Sequence, residues 1–398
     1  MPTSNADPSR DSSPDSSTDI ATQLVQPAQG LPAGFASLSQ GVFHASTIVF
    51  PDVASFLARQ NQAYDGYSYG QNGTPTHYAL TGKLAELEGG GKTVLVPTGL
   101  AAAVLVNSML LSAGDHVLLP ETVYGPTLEM TQALFGKWGV TCTLYPNDIA
   151  ADISKLFQPR TRLVWTESPS SNTLEMQDVP AIVKAAHAQG ILVAMDNTWA
   201  TPLGFRPLDV GVDFSIQALT KYVGGHSDLL MGAVSTRDEK TYQDLRDTAE
   251  LIGYYVASDE CFLALRGLPT MALRMERQFS SALRIARFLQ DHAAVASIHY
   301  PPLESDTYHC LWKRDFKLGS GLLSFTLKNN TLPAIEDFVA ALKLFTLGNS
   351  WGGVHSLVAV APLRKTEDAS DQGWLIRLHV GVEDVNDLLN DLGRALSV

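Results

Sequence analysis

Short apolar runs alternate with longer amphipathic stretches along residues 77–257. The runs have the length of buried strands, and the stretches between them, such as residues 100–111 and 179–189, have helical spacing. This alternation predicts an α/β fold with a mostly parallel central sheet covered by helices on both faces. In such sheets the chemistry lies at the carboxyl ends of the strands. The predicted strands are residues 93–97, 116–120, 163–166, 191–195 and 212–218.

The pattern changes after residue 257. A long helical pattern covers residues 258–290, with a candidate break at Gly267-Leu268-Pro269. The elements predicted after it are strands at 321–328 and 374–379, a helix at 333–342 and a last helix from Val382. This is the pattern of a smaller α+β domain. We therefore predict an acidic tail (1–18), an N-terminal arm (19–72), an α/β domain (73–257) and a C-terminal α+β domain (258–398).

The first residues differ in composition from the rest of the chain. Serine, proline and four aspartates fill residues 1–19, where Arg10 is the only base. Such a segment cannot bury enough apolar surface to offset its ordering entropy, so residues 1–18 are predicted to be disordered. The stretch has neither the apolar core of a signal peptide nor the arginine-rich composition of a transit peptide.

Composition narrows the class of protein. The 398 residues are 45% hydrophobic and carry a formal net charge of −13, which argues against a nucleic-acid binder. No apolar run approaches the ~20 residues of a membrane span. The three cysteines are far apart and form neither a metal-binding pair nor a disulfide framework, so a cytoplasmic location is the default expectation. A large soluble enzyme without a metal site is the leading class.

A carboxylate and a lysine follow two of the predicted strands. Asp196 ends the run at 191–195, and Lys221 lies just beyond the run at 212–218. Neighbouring parallel strands would bring both side chains to one edge of the sheet. A pyridoxal phosphate enzyme needs this pair, because the lysine forms a Schiff base with the cofactor aldehyde and the carboxylate keeps the pyridine nitrogen protonated. Taken alone, the pair fits a strand-end aspartate and a surface lysine equally well.

A glycine lies between a predicted strand and a predicted helix. Gly99 would allow close backbone approach, and the helix after it would offer free N–H groups to a phosphate. Such a junction is common and is weak support on its own. The nearby Gly89-Gly-Gly-Lys92-Thr93 is not a nucleotide-binding P-loop, because the motif needs glycine where Glu86 stands. We interpret those glycines as a turn at a helix end.

Two other features are candidates for binding. Residues 64–76 are rich in tyrosine and glycine, and they could supply hydroxyl groups to a cofactor or form a turn that packs tyrosines on a neighbour. Arg377 lies inside an apolar strand, and a buried arginine needs an anion. The carboxylate of an amino-acid substrate is a natural bidentate partner, and an internal Asp or Glu is the alternative.

These segments together resemble the Cys/Met-metabolism pyridoxal-phosphate enzymes over about residues 19–398. The matching segments are residues 69–76, 84–89, 117–126, 167–169, 195–199, 220–222, 225–228, 265–268 and 376–384. Within the family, the chain is most similar to the branch that cleaves L-cystathionine at its β-carbon. Asp196-Asn-Thr-Trp199, residues 215–221 and Ser350-Trp351-Gly-Gly353 carry that finer likeness.

The resemblance implies the aspartate-aminotransferase (type I) fold, with pyridoxal 5'-phosphate bound by residues 73–257. It implies that Lys221 holds the cofactor and moves the α-proton, that Asp196 pairs with the pyridinium, and that Tyr124 stacks on the ring. Tyr124 and Tyr69 join Lys221 in the implied catalytic set. The implied phosphate ligands are Gly99, Leu100, Thr220 and Tyr69, the last from a neighbouring subunit.

The resemblance also implies the substrate contacts. Arg377 would bind the α-carboxylate, with Ser350 nearby and Trp351 lining the pocket. The implied reaction is β-elimination of L-cystathionine to homocysteine, pyruvate and ammonia in methionine biosynthesis or transsulfuration. Family members form homotetramers as dimers of dimers, and Tyr69 acting on a neighbour requires at least a dimer. No nucleic-acid or membrane partner is implied.

The chain departs from the family pattern at two positions. Relatives place an arginine two residues after the tyrosine that matches Tyr69, whereas this chain has Gln71, which can donate hydrogen bonds but brings no charge. Many relatives have asparagine where this chain has Ser171, as in the β-lyase branch. The alternatives left open are a cysteine-S-conjugate β-lyase, a cystathionine γ-synthase or γ-lyase, and a catalytically silent regulatory relative.

Overall fold

The computed structural model describes residues 19–26, 37–363 and 373–397. The predicted disordered tail, residues 1–18, lies outside the described residues. The N-terminal arm contains helices α1 (Ile20–Leu24) and α2 (Val53–Leu57), and short 3₁₀ turns at Ala58–Gln62 and Gly70–Asn72. No helix in the described ranges is both long and apolar enough to cross a membrane.

The α/β domain alternates strands and helices as the sequence predicts. Its elements are α3 (Pro75–Leu87), β1 (Lys92–Val96), α4 (Gly99–Leu110), β2 (His116–Pro120), α5 (Gly125–Met130), β3 (Thr141–Tyr145), β4 (Thr161–Glu167), α6 (Val179–His187), β5 (Leu192–Asp196), α7 (Thr201–Gly204), β6 (Phe214–Ala218), β7 (Gly232–Thr236) and α8 (Glu239–Leu251). The glycines after α3 form a turn in which Gly89, Gly90 and Gly91 all have positive φ. This agrees with the helix-end interpretation of that motif.

Among the described residues, seven strands form one mixed sheet in the order β1-β7-β6-β5-β4-β2-β3. Strands β2 to β6 run parallel to one another, whereas β7 is antiparallel to both β6 and β1. The mostly parallel sheet is therefore confirmed. Strand β7 was not predicted, because Gly232-Ala-Val-Ser-Thr236 has only one large apolar side chain.

Two apolar cores cover the two faces of this sheet. Successive side chains of a strand point to opposite faces, so Ala194 packs in one core and Met195 in the other. The core beside α4 includes Ala102, Leu105 and Phe214. The core on the opposite face continues into the C-terminal domain. Burial on both faces explains why the strands have short, nearly continuous apolar runs.

The C-terminal domain packs helices on a smaller sheet. Its elements are α9 (Ser258–Gly267), α10 (Met271–Asp291), β8 (Val295–His299), α11 (His309–Asp315), β9 (Leu322–Leu327), α12 (Leu332–Ala341), β10 (Thr346–Leu347), β11 (Leu357–Pro362), β12 (Trp374–His379) and α13 (Val385–Ala395). The strand order is β10-β11-β12-β9-β8. The long helical pattern is broken by a 3₁₀ turn at Leu268–Thr270, as predicted, because Pro269 lacks an N–H donor.

Candidate active site

Polar side chains gather where β4, β5 and β6 end. Glu167 and Asp196 are register partners at the ends of β4 and β5, and β5 pairs directly with β6. Lys221 lies in the turn after β6, where its N–H donates to the Ala218 carbonyl at 3.0 Å. The sequence predicted Asp196 and Lys221 at one edge of the sheet, and the structure brings them together there. Glu167 belongs to a segment that carries the family resemblance, residues 167–169, but it was not predicted as a site residue.

Two carboxyl groups therefore face the same small volume. Asp196 Oδ1 accepts the Thr198 N–H at 2.9 Å. Burial raises the pKa of Asp196, although Thr198 and Lys221 oppose the change. Burial and the nearby Asp196 raise the pKa of Glu167 to about 8. The acidic pair makes this edge favourable for a cationic ring nitrogen.

Lys221 has the environment of a proton-transfer group. Its Nζ donates a hydrogen bond to Ser350 Oγ and lies 5.2 Å from the centre of the Trp351 ring. Burial and the nearby Arg377 lower its pKa to about 8, while Asp196 acts in the opposite direction. A lysine with a lowered pKa has a neutral fraction near physiological pH and can then accept a proton.

The segment Ser350–Gly353 lies directly against the lysine. Gly352 has φ of +88°, and a Cβ there would lie 2.8 Å from the Lys221 carbonyl carbon, so only glycine fits. Ser350 also has a positive φ, of 74°. His379 holds the segment in place, since its Nε2 lies 2.9 Å from the Gly353 carbonyl oxygen. The sequence did not single out His379, because its partner depends on the course of this loop.

Arg377 projects from β12 towards the same volume. Its Nη1 donates to the Ser171 carbonyl at 3.0 Å and to Asn172 Oδ1 at 2.9 Å. Within the described ranges, no carboxylate forms an ion pair with it. Burial lowers its pKa, but a guanidinium keeps its charge in proteins. The internal-partner alternative is therefore not supported, and Arg377 can bind an external anion.

The N-terminus of α4 forms the other end of the site. The Thr98 side chain caps the helix by accepting the Ala101 N–H at 3.0 Å. A Cβ on Gly99 would lie 2.7 Å from the Ala218 Cβ, so the helix start and β6 approach closely. Gly99 and Leu100 begin the helix, where N–H groups have no acceptor inside it. Thr220, predicted to join them, has its hydroxyl hydrogen-bonded to both backbone polar groups of Met231.

The tyrosines of the predicted aromatic segment have different surroundings. Tyr64 donates its hydroxyl to Asp247 at 2.9 Å, and the Tyr67 ring packs edge-on against Tyr78 at 5.5 Å. These two are packing residues. Tyr69 instead leaves 51% of its surface exposed on the arm. Gln71 lines a small cleft with Arg246.

Tyr124 lies beside the carboxyl groups of Glu167 and Asp196. Its backbone N–H donates to Glu167 Oε2 at 2.6 Å. Burial, with the nearby Asp196 and Glu167, raises the pKa of its hydroxyl. The ring is 43% exposed and therefore has a free face at the surface of the site.

This arrangement fits pyridoxal phosphate. The N-terminus of helix α4 suits the phosphate, and the carboxylate of Asp196 at a strand end suits the pyridine nitrogen. The half-buried Lys221 lies between them. Gly99 and Ala218 are so close that there is no room for a side chain at the start of the helix. The residues that could hold the cofactor are Lys221, Asp196, Tyr124, Gly99 and Leu100.

Known proteins are similar to this chain in sequence and in fold. The model of the Cys/Met metabolism PLP-dependent enzyme family matches residues 21–397. The cystathionine beta-lyase MetC of Escherichia coli (strain K12) is 39% identical over 387 residues, covering 94% of this chain and 97% of that protein. The L-alanine/L-glutamate racemase of Wolbachia pipientis wMel is 37% identical over 376 residues, covering 91% and 93%. Among solved structures, cystathionine gamma synthase from Xanthomonas oryzae pv. oryzae has a TM-score of 0.87 and 32% identity, covering 96% of this chain and 98% of that one.

Proposed function

The chain belongs to the Cys/Met metabolism PLP-dependent enzymes, and on that premise we propose that it catalyses β-elimination of L-cystathionine. Pyridoxal 5'-phosphate is its cofactor, and its architecture is the type I fold that the resemblance implied. The products would be homocysteine, pyruvate and ammonia. The curated relatives named cystathionine beta-lyase support this choice within the family.

One observation carries the proposal. Lys221, with its lowered pKa, lies beside Arg377, a cation without a carboxylate partner among the described residues. In our proposal Arg377 holds the substrate α-carboxylate, and neutral Lys221 Nζ removes the proton from Cα. When bound, pyridoxal phosphate supplies the electron sink that stabilises charge at Cα. Ser350 orients Lys221 Nζ. Trp351 covers one side of the pocket and excludes water there.

In our proposal, the residues at the two ends of the site hold the cofactor. Asp196 would hold the pyridine nitrogen, and Tyr124 would cover one face of the ring. The phosphate would be held by Gly99, Leu100, Thr220 and the partner-facing Tyr69. The Thr220 hydroxyl would need to exchange a Met231 contact for the phosphate.

The experiment is to assay pyruvate and free thiol released from L-cystathionine by the purified holoenzyme. We expect equal amounts of both, and a Lys221→Ala variant should lose at least a thousandfold in kcat, since it lacks the proton-transfer group. Release of 2-oxobutyrate in place of pyruvate would assign γ-elimination. Wild-type protein that binds cofactor but transforms no sulfur amino acid would support the silent-relative alternative.

Racemisation is a second candidate, favoured by the relative named L-alanine/L-glutamate racemase. Elimination and racemisation both begin with loss of the Cα proton, so Lys221 serves either reaction. They differ in whether Cβ carries a leaving group. Incubation with L-alanine, followed by chiral chromatography, tests this. Formation of D-alanine faster than cleavage of cystathionine would make racemisation the main activity.

We also propose a homotetramer built from dimers, with Tyr69 completing a neighbouring site. The arm exposes large apolar side chains to solvent, including Val49 at 89% and Val53 at 72%. Exposed apolar surface of this kind marks a protein interface. Mixing Lys221→Ala and Tyr69→Ala chains under exchange conditions should restore about a quarter of wild-type activity, because half of the dimers are then hybrids with one intact site. No recovery in a verified hybrid would contradict action on the partner.

The remaining assignments concern organisation and location. We propose an arm at residues 19–72, a cofactor domain at 73–257 and a C-terminal domain at 258–398. A cytoplasmic location is supported by the three free thiols, Cys142, Cys261 and Cys310. Methionine biosynthesis or transsulfuration is the metabolic role consistent with the proposed products.

A further inference from the structure

A continuous hydrogen-bond path links Tyr124 to Arg377 through one buried side chain. Glu167 Oε2 accepts the Tyr124 backbone N–H at 2.6 Å, and Oε1 accepts the Ser171 backbone N–H at 2.8 Å. The Ser171 carbonyl in turn accepts Arg377 Nη1 at 3.0 Å. A single carboxyl group thus joins the segment after β2, the segment after β4 and a side chain of the C-terminal domain.

The direction of this side chain is fixed by its own backbone. The Glu167 N–H donates to Gln177 Oε1 at 3.1 Å, and Gln177 Nε2 donates to the Glu167 carbonyl at 3.0 Å. Glu167 is only 4% exposed. The carboxyl group therefore has little freedom, and its two oxygen atoms point at two different loops.

A carboxyl group at this position is costly. It is buried next to Asp196, its register partner on β5, and like charges in one site repel each other. An amide would avoid the charge but offers only one acceptor, whereas both loops present N–H donors here. Each oxygen of the carboxyl group accepts an N–H group from a different loop. This requirement explains why a glutamate occupies a position where burial and a neighbouring carboxyl group are unfavourable to it.

We propose that Glu167 is a positioning residue that sets Tyr124 at the ring and Arg377 at the substrate carboxylate simultaneously. This inference rests on the roles that the proposed function gives to Tyr124 and Arg377. Glu167 itself touches neither cofactor nor substrate in this assignment. Its effect reaches the substrate through Ser171 and Arg377.

The test is a Glu167→Gln variant of the holoenzyme, with binding of glycine followed by the change in cofactor absorbance. Glycine has the amino and carboxylate groups but no Cβ, so binding is measured without elimination. The amide NH₂ would face one of the two N–H donors, and that loop must move. We expect the Kd for glycine to rise about tenfold, because one buried N–H group then lacks its acceptor.

Asp391→Asn is the matched control. Asp391 is another buried carboxyl group that accepts backbone N–H groups, from Lys343 at 2.9 Å and Leu344 at 2.8 Å, but it lies on α13, within the C-terminal domain. Its variant should melt at a lower temperature and bind glycine within about twofold of wild type, a difference of about 0.4 kcal/mol. Equal weakening in both variants would show a general loss of stability and overturn the proposal.

Glu167→Asp covers the case in which the glutamine variant does not fold. It keeps the carboxyl group but draws both oxygens back by one methylene, so it cannot reach both loops, and we expect intermediate glycine binding. Wild-type glycine affinity in either folded variant overturns the positioning role alone. Glycine binding by a wild-type enzyme that leaves cystathionine intact would overturn the proposed function alone. Wild-type enzyme that fails to bind glycine would overturn both.

Discussion

The two ends of the candidate site are built differently. At the ring end, Asp196, Glu167 and Lys221 stand on adjoining strand ends of one chain, and burial shifts the pKa of each. At the phosphate end, the chain offers a helix N-terminus at Gly99, while Tyr69 is half exposed on the arm. The ring end is thus preorganised within the monomer. The phosphate end depends on uncharged donors and, in our proposal, on a second subunit.

The largest effect is expected at the ring end. Asp196→Asn removes the negative charge opposite the pyridine nitrogen, and we expect kcat/KM to fall by about a hundredfold to a thousandfold, typical for loss of a preorganised electrostatic contact. Steady-state rates on cystathionine measure this. Asp213→Asn is the control, because Asp213 lies at the opposite edge of the same strands and accepts the Val193 N–H at 2.8 Å. Similar losses in both variants would contradict a specific role for Asp196.

At the phosphate end, Tyr69→Phe should weaken cofactor binding without abolishing it. Loss of one hydrogen bond to a charged group is worth about 1.5–3 kcal/mol, so the Kd for pyridoxal phosphate should rise roughly tenfold to a hundredfold. Titration of apoenzyme by absorbance gives the Kd. Tyr67→Phe is the control, since Tyr67 packs on Tyr78. Unchanged affinity in Tyr69→Phe would mean that the phosphate end is complete within one chain.

Gln71→Arg tests whether this end lacks a cation. An arginine can make charge-assisted, bidentate contacts with a phosphate that glutamine cannot. We expect the cofactor Kd to fall by up to about tenfold, with a steeper dependence on salt concentration. A variant with unchanged affinity and salt dependence would show that another base already neutralises the phosphate, and the contrast between the two ends would be smaller than we infer.

The same contrast explains what the sequence could and could not predict. Asp196, Lys221 and Arg377 are polar residues within or just after apolar strands, and such positions are visible in the hydrophobic pattern. The role of Glu167 depends on the register of β4 with β5 and on where two loops place their N–H groups. The Thr220–Met231 contact depends on β7, whose pattern is too weakly apolar to predict. Local pattern therefore predicts strand-end chemistry better than contacts made through loops.

Not every buried carboxyl group near the sheet is expected to serve the site, and Glu88 tests this. Glu88 is 1% exposed at the end of α3 and accepts the Ser215 hydroxyl at 2.8 Å, and Ser215 is near the start of β6. Burial raises its pKa from 4.5 to about 7. From pH 4.5 to 7 the unfolded chain loses this proton while the folded chain keeps it. The free energy of unfolding should therefore fall across that window, by on the order of 3 kcal/mol, and level off above pH 7.

Glu88→Gln should remove that pH dependence and leave the chemistry almost unchanged. Glutamine cannot ionise, so urea denaturation at pH 5 and pH 8 should show the variant gaining stability relative to wild type at the higher pH. Cofactor affinity and kcat should stay within about twofold of wild type, a difference of about 0.4 kcal/mol. Parallel pH profiles would mean that Glu88 is already ionised when folded. A large fall in kcat would instead extend the ring-end network through β6 to α3, and the boundary we draw around the site would have to move.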